Sequence, residues 1–161
     1  MLEETMKVLF VCLGNICRSP AAEGVLKKFI QDADLQGTLE VDSAGTGDWH
    51  VGEQADPRMR QAASERGFQL TSRGRQVNRE DFQKFDLIIA MDSNNFQNLL
   101  PLQCDNDRAK LIQFRELMTT REIEGVPDPY YGGPDGFQQV LDILQEGCTE
   151  LLNRMNSSLR G

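Results

Sequence analysis

Cys12 and Arg18 bracket the run Cys12-Leu13-Gly14-Asn15-Ile16-Cys17-Arg18, so a nucleophile and a planar cation stand six positions apart. The flanking residues make the stretch between them a loop. Val8 to Val11 are apolar and half β-branched, the composition of a buried strand, while Ser19-Pro20 reads as an N-cap followed by proline at the first helical position. Cys12 then sits where a strand ends. Residues Leu13 to Arg18 must turn the chain into a helix. Their successive backbone N–H groups converge on one point, joined by the positive end of the helix dipole, which makes an anion cradle. Gly14 and Asn15 are residue types that tolerate left-handed backbone angles.

A free thiol titrates at about 8.5, and helix N-termini and adjacent cations lower that to roughly 3.5–7.5. Cys12 is therefore expected as a thiolate at neutral pH, able to attack the phosphorus of a bound phosphoryl group while Arg18 holds its oxygens with a fork of donors. Taken alone, a C-x5-R spacing is more often an inert buried cysteine beside a solvated arginine. The surrounding elements and later motifs have to decide.

Those elements alternate. Ala22, Val25, Leu26, Phe29 and Ile30 recur at helical spacing after the first strand, and Thr38 to Asp42 reads as a second strand, completing a βαβ unit. Asp56-Pro57 starts a second helix that stops near Gly67, and Asn78 caps a short one over 81–84. Leu87 to Met91 is a third strand, Asp92-Ser93 caps a helix ending before Pro101, and Ala109 to Phe114 is a fourth strand. Leu117 to Gly136 is mostly loop. The last helix carries a stripe from Phe137 through Val140, Leu141, Leu144, Cys148 and Leu151 to Met155, interrupted by Gly147, which costs roughly 1 kcal/mol against alanine. The pattern predicts an α/β fold, a three-layer sandwich with a central four-stranded parallel sheet flanked by helices and the phosphate loop after its first strand. In such sheets ligands bind beyond the carboxyl ends of the strands, where Cys12, Ser43 and Asp92 all fall.

Composition narrows the function classes. With 161 residues the chain is read as one domain, 1–161, large enough for a core without disulfides or metal. A net charge of −8 argues against nucleic acid or an anionic membrane as partner. The apolar run at the N-terminus is too short for a signal peptide or membrane span, which points to the cytoplasm. The four cysteines and single histidine make no metal-binding pattern, and Cys104 and Cys148 read as structural.

The stretch Val11-Cys12-Leu13-Gly14-Asn15-Ile16-Cys17-Arg18-Ser19-Pro20 closely resembles the signature loop of the low-molecular-weight protein tyrosine phosphatases. Val41-Asp42-Ser43-Ala44-Gly45-Thr46, Asp86-Leu87-Ile88-Ile89-Ala90-Met91-Asp92 and Pro127-Asp128-Pro129-Tyr130-Tyr131-Gly132 resemble later family motifs, in order. The Trp49 loop and the segment from Pro127 resemble bacterial members more than animal ones. From spacing alone Asp128 is one acid among 25, although Pro127 and Pro129 stiffen the backbone around it. The family's D-P-Y-Y motif singles it out as the general acid, which a phenolate leaving group requires because its conjugate acid has a pKa near 10.

The resemblance implies metal-independent hydrolysis of phosphotyrosine, with no cofactor. Cys12 attacks, Arg18 and the N–H groups of Leu13, Gly14, Asn15, Ile16 and Cys17 bind phosphate, and Asp128 acts as acid and then base. Ser19 donates its hydroxyl to the Cys12 sulfur, the match to Ser43 helps hold the loop, and Asp92 supports it. Trp49, Tyr130 and Tyr131 flank the substrate ring, whereas His50 reads as a surface or packing residue. Ser72 stands where many members carry a histidine bracing the loop asparagine. Cys17 lies within reach of an oxidised Cys12 and is expected as its redox partner. The expected partners are a phosphotyrosine protein, a tyrosine kinase or its targets, with the chain a monomer. Two other readings use the same loop: an arsenate reductase, which needs further cysteines that the region from Asp81 to Cys104 lacks as a close pair, and a non-catalytic phosphotyrosine binder or redox sensor, which would usually have lost Cys12, Arg18 or Asp128.

Overall fold

Val8, Leu9, Phe10 and Val11 are completely buried because their strand, β1 (Met6–Cys12), lies between two others. The structure is a computed structural model that describes residues 5–129 and 135–160, with side chains to residue 157. Its four strands are all parallel, in the order β2 (Leu39–Gly45), β1, β3 (Leu87–Ala90), β4 (Lys110–Gln113). Side chains alternate across a strand, so Val8 and Phe10 enter one apolar cluster and Leu9 and Val11 the other. The first is covered by α1 (Arg18–Asp32), α2 (Pro57–Glu65) and α5 (Asp135–Arg160), through Val25, Leu26, Met59, Ala63, Val140 and Leu144. The second is covered by α3 (Asp81–Lys84) and α4 (Ser93–Leu99), through Phe82 and Leu99. This is the expected three-layer α/β sandwich. The chain leaves β1 for β2 on one side and later crosses to β3 on the other, so the carboxyl end of β1 is the point where strand order reverses.

Local signals placed most boundaries. Asp56 caps α2 by accepting from the Arg58 N–H at 2.8 Å, and Asp92 caps α4 by accepting from the Asn95 N–H at 2.8 Å. Asn78 and Asp81 exchange side-chain and backbone bonds at the start of α3. β3 stops one residue short of the expected Met91, and β4 begins one residue late, at Lys110, and ends one early because Phe114 already belongs to a 3-10 turn, Phe114–Leu117.

One start signal was misread. The helix α1 begins at Arg18 with Cys17 as its N-cap, so Ser19 is inside the first turn and caps nothing. Pro20 is tolerated there because the first helical N–H groups have no intrahelical partner, and the first regular bond runs from the Ala21 N–H to the Cys17 carbonyl. The Ser19 hydroxyl is thereby released for the loop.

Gly147, in the middle of α5, reverses its propensity argument. A Cβ there would lie 2.2 Å from Cζ of Phe114, whose ring is completely buried and cannot move aside. Gly147→Ala gains about 1 kcal/mol of helix propensity and loses about 1–3 kcal/mol to overpacking. The expected net effect is destabilisation, seen as a lower urea midpoint; a higher midpoint would mean that this contact is not tight.

Candidate active site

The loop from Cys12 to Arg18 is held at both ends by neighbours. Where β2 runs on past its pairing of Cys12 with Gly45, the Thr46 N–H donates to the Cys12 carbonyl and the Gly47 N–H to that of Leu13, each at 2.9 Å. A Cβ at residue 45 would sit 2.9 Å from the Leu13 oxygen, so only glycine permits this approach. The far end is tied by the Asp56 N–H, which donates to the Ile16 carbonyl at 2.8 Å.

Asn15 is the bend. It adopts φ 57°, the left-handed region where short amide side chains compensate by bonding locally. Its Nδ2 donates to Ser19 Oγ at 2.8 Å, and its Oδ1 accepts from the Arg75 N–H at 3.0 Å. Ser19 Oγ already accepts from Asn15, so its own proton can go to Cys12 Sγ, 3.0 Å away, or to the more distant Ala44 carbonyl at 3.4 Å. The Asn15 N–H also donates to that sulfur at 3.3 Å. Cys12 thus has two donors aimed at it from one bridge.

Arg75 anchors the bridge. Its guanidinium pairs with Asp81 at 3.1 Å and with Asp42 at 3.0 Å, and its carbonyl accepts from the Gly45 N–H. Burial opposes its charge, but the two aspartates outweigh that and raise its pKa. Sequence reading missed this residue, which looks like one more cation in Arg73-Gly74-Arg75. Ser72, expected to weaken the brace on the loop asparagine, is half-buried, and Asn15 Oδ1 is braced by the Arg75 peptide.

Arg18 is 4% exposed. Its Nη1 donates to Asp92 Oδ2 at 2.5 Å and to the Val126 carbonyl at 3.1 Å. Burial works against the cation, and the facing Cys12, Asp92 and Asp128 outweigh it, so its pKa lies above the ordinary arginine value. Val126 in turn donates its N–H to the Met91 carbonyl, which pins the segment bearing Asp128 to the end of β3.

Cys12, Arg18 and Asp128 line one cavity of about 240 Å³, together with Leu13, Gly14, Ile16 and Cys17 of the loop. Trp49, 67% exposed, and His50 form its rim. His50 is the surface packing residue expected, but its packing partner is the loop itself: its ring lies over Gly14 at the cavity rim and is hydrogen-bonded through Nδ1 to Glu53. Ser43 points elsewhere, donating to Glu23 of α1 at 2.6 Å, and it joins β2 to α1 below the loop. Tyr130 and Tyr131 lie outside the described residues. Burial, with the negative charges of Asp56 and Cys12, pushes the Cys17 thiol up to about 12. Cys148 is raised further by burial alone, and Cys104 is exposed. Among the described residues no group of histidine, cysteine and acidic side chains is arranged to hold a metal ion.

Comparison with known proteins agrees with this geometry. The family profile described as low molecular weight phosphotyrosine protein phosphatase matches residues 7–160. The chain is 46% identical to a putative low molecular weight protein-tyrosine-phosphatase of Synechocystis over 96% of its own length and 99% of the relative's. A low molecular weight protein-tyrosine-phosphatase of Streptomyces coelicolor is 39% identical, with 98% of each chain covered. The crystal structure of a protein tyrosine phosphatase from Entamoeba histolytica, with Hepes in its active site, superimposes with a TM-score of 0.92 at 47% identity, covering 96% of this chain and 99% of that one.

The Asn15 bridge separates backbone strain from side-chain bonding. Asn15→Ala keeps a Cβ in the left-handed region and is expected to cost about 1–2 kcal/mol in thermal denaturation, whereas Asn15→Gly should recover most of that loss. Both variants should bind inorganic phosphate more weakly by calorimetry. Wild-type affinity in Asn15→Gly would show that the bridge does not shape the cradle.

Proposed function

Because this chain belongs to the low molecular weight phosphotyrosine protein phosphatase family, we propose that it hydrolyses phosphotyrosine in proteins, and small aryl phosphates, through a cysteinyl-phosphate intermediate. The observation that carries this mechanism is Cys12 Sγ, held by the Ser19 hydroxyl and the Asn15 N–H in a cavity that Arg18 and Asp128 also line.

The substrate phosphoryl group sits in the cradle, its equatorial oxygens on the N–H groups from Leu13 to Arg18 and on the guanidinium. Nη1 of Arg18 fixes the plane of that group through Asp92 and Val126, and its other edge takes two oxygens. Cys12 Sγ attacks phosphorus in line, and the bond to the phenolic oxygen breaks. Charge spreads over the equatorial oxygens of a loose transition state, where fixed donors stabilise it most. Asp128 gives its proton to the departing oxygen. Water then attacks the cysteinyl-phosphate, Asp128 takes its proton, and the thiolate leaves with the Ser19 hydroxyl again donating to it. The cation and the N–H groups supply the positive charge that a metal ion would bring.

The cavity favours an aryl ester, since the phosphorus lies below a rim of Leu13, Ile16 and Trp49, and Tyr130 and Tyr131 are the further aromatic candidates. A phosphotyrosine protein, a tyrosine kinase or its targets, is the substrate in this reading, acted on in the cytoplasm by a monomer. Among the described residues no helix is long and apolar enough to cross a membrane. Cys17 completes the reading. Peroxide converts Cys12 to a sulfenic acid, and the Cys17 sulfur attacks it as its proton, which burial holds on at neutral pH, passes to the departing hydroxide, giving a disulfide and water and blocking further oxidation.

The decisive experiment is hydrolysis of p-nitrophenyl phosphate with chelator present. Turnover should vanish in Cys12→Ser while phosphate binding persists, and kcat should fall by roughly 10²–10⁴ in Asp128→Ala. A reduced wild type that turns over no aryl phosphate would overturn the reading, and thiol-dependent arsenate reduction by the same sample would replace it. Peroxide-inactivated wild type should recover with dithiothreitol; equal recovery in Cys17→Ala would remove Cys17 from that protection.

A further inference from the structure

Trp49 and Leu13 each serve two hollows. Both line the catalytic cavity, and both also line a second cavity of about 400 Å³. The Trp49 ring lies so closely across Gly47 that a Cβ there would meet ring carbons at 2.0 and 2.4 Å, which presses the indole into place as a ridge between the two. Leu13 and Trp49 are 43% and 67% exposed, large apolar side chains left open to solvent beside the active site.

The second cavity has its own chemistry. Val77 and Leu102 supply apolar surface, Gln76 and Asn98 supply amides, and among the described residues no charged side chain lines it. Thr46 is held in place by its main chain, whose N–H donates to the Cys12 carbonyl and whose carbonyl accepts from Gln76 Nε2.

We propose that this hollow is a specificity subsite for a residue flanking the phosphotyrosine of a peptide substrate, selecting an uncharged side chain. The proposal rests on the phosphatase reading of the neighbouring cavity. A phosphotyrosine ring that enters beside Trp49 leaves its backbone at the rim. Successive residues of an extended peptide rise about 3.3 Å each, so a neighbouring side chain passes over the indole ridge into the second hollow. There an aliphatic, hydroxyl or amide side chain covers Leu13, Val77 and Leu102 and finds polar partners in the amides of Gln76 and Asn98. A carboxylate or ammonium group would lose hydration with no counter-charge to replace it.

The test compares p-nitrophenyl phosphate, which reaches only the catalytic cavity, with phosphotyrosyl peptides whose flanking residues are Leu, Asn, Asp or Lys on either side. Wild type should show kcat/KM at least fivefold higher for the uncharged residues on one side. Asn98→Trp, at an exposed position outside the catalytic groups, should lower peptide kcat/KM at least fivefold and flatten the preference, with p-nitrophenyl phosphate turnover within twofold of wild type. Asn98→Lys should instead raise the Asp-flanked peptide relative to the Leu-flanked one. Equal use of all flanking residues, a Trp variant that lowers both substrates alike, or a Lys variant that leaves the ranking unchanged would each overturn the subsite. Failure of wild type on p-nitrophenyl phosphate would count against the phosphatase reading itself.

Discussion

The bridge from Ser19 through the Asn15 side chain to the Arg75 peptide is the interaction on which the active loop depends. A single residue at φ 57° reverses the chain between β1 and α1, and asparagine can occupy that angle because both ends of its amide are bonded. The same bonds hold the Ser19 hydroxyl 3.0 Å from the Cys12 sulfur. Loop shape and nucleophile surroundings therefore have one cause, and the cause is anchored in a segment far away in sequence. Arg75 contributes its main chain to the bridge while its side chain is held between Asp42 and Asp81.

Electrostatics follow a similar economy. The chain carries a net charge of −8, which at long range repels a phosphate ester. Any attraction has to be local, and a nearly buried arginine lines the cavity beside the loop that follows β1. Arg18 is also the junction of the site: Asp92, after β3, and Val126, in the segment leading to Asp128, both meet its Nη1. The candidate nucleophile and the cation come from one loop and the acid candidate from a distant segment, and the guanidinium with its two acceptors ties the two together.

The rim is less constrained than the floor. Trp49, His50 and Leu13 are exposed to different degrees, and none is held by a network like that around Asn15. That division suits an enzyme whose chemistry needs a rigid cradle while recognition of the substrate needs shape and apolar surface. The ridge formed by Trp49 over Gly47 divides this surface into two hollows of different chemistry.

Much of this was legible in the chain itself. Apolar runs and alternation marked the strands, Asp56 and Asp92 marked two helix starts, and the spacing of Cys12 and Arg18 marked the loop, because these signals are local and each rests on neighbouring residues. The start of α1 was misread, since Ser19-Pro20 satisfies the rule for a cap while a tertiary partner, the Cys12 sulfur, competes for that hydroxyl. Ser43 was expected just past the end of its strand, but β2 runs on to Gly45, so Ser43 is a strand residue, and its hydroxyl meets Glu23 on α1. Arg75, His50 and the Val126 carbonyl left no local signal, because their roles arise only where segments distant in sequence pack against the loop. Gly147 shows the same limit in the core: propensity along the helix favours alanine, and a ring from another element forbids it. Residue types and short-range spacing thus determined which chemistry was available to this protein. Which groups brace, orient and border that chemistry was decided by tertiary contacts, whose partners are chosen by packing in three dimensions and not by separation along the chain.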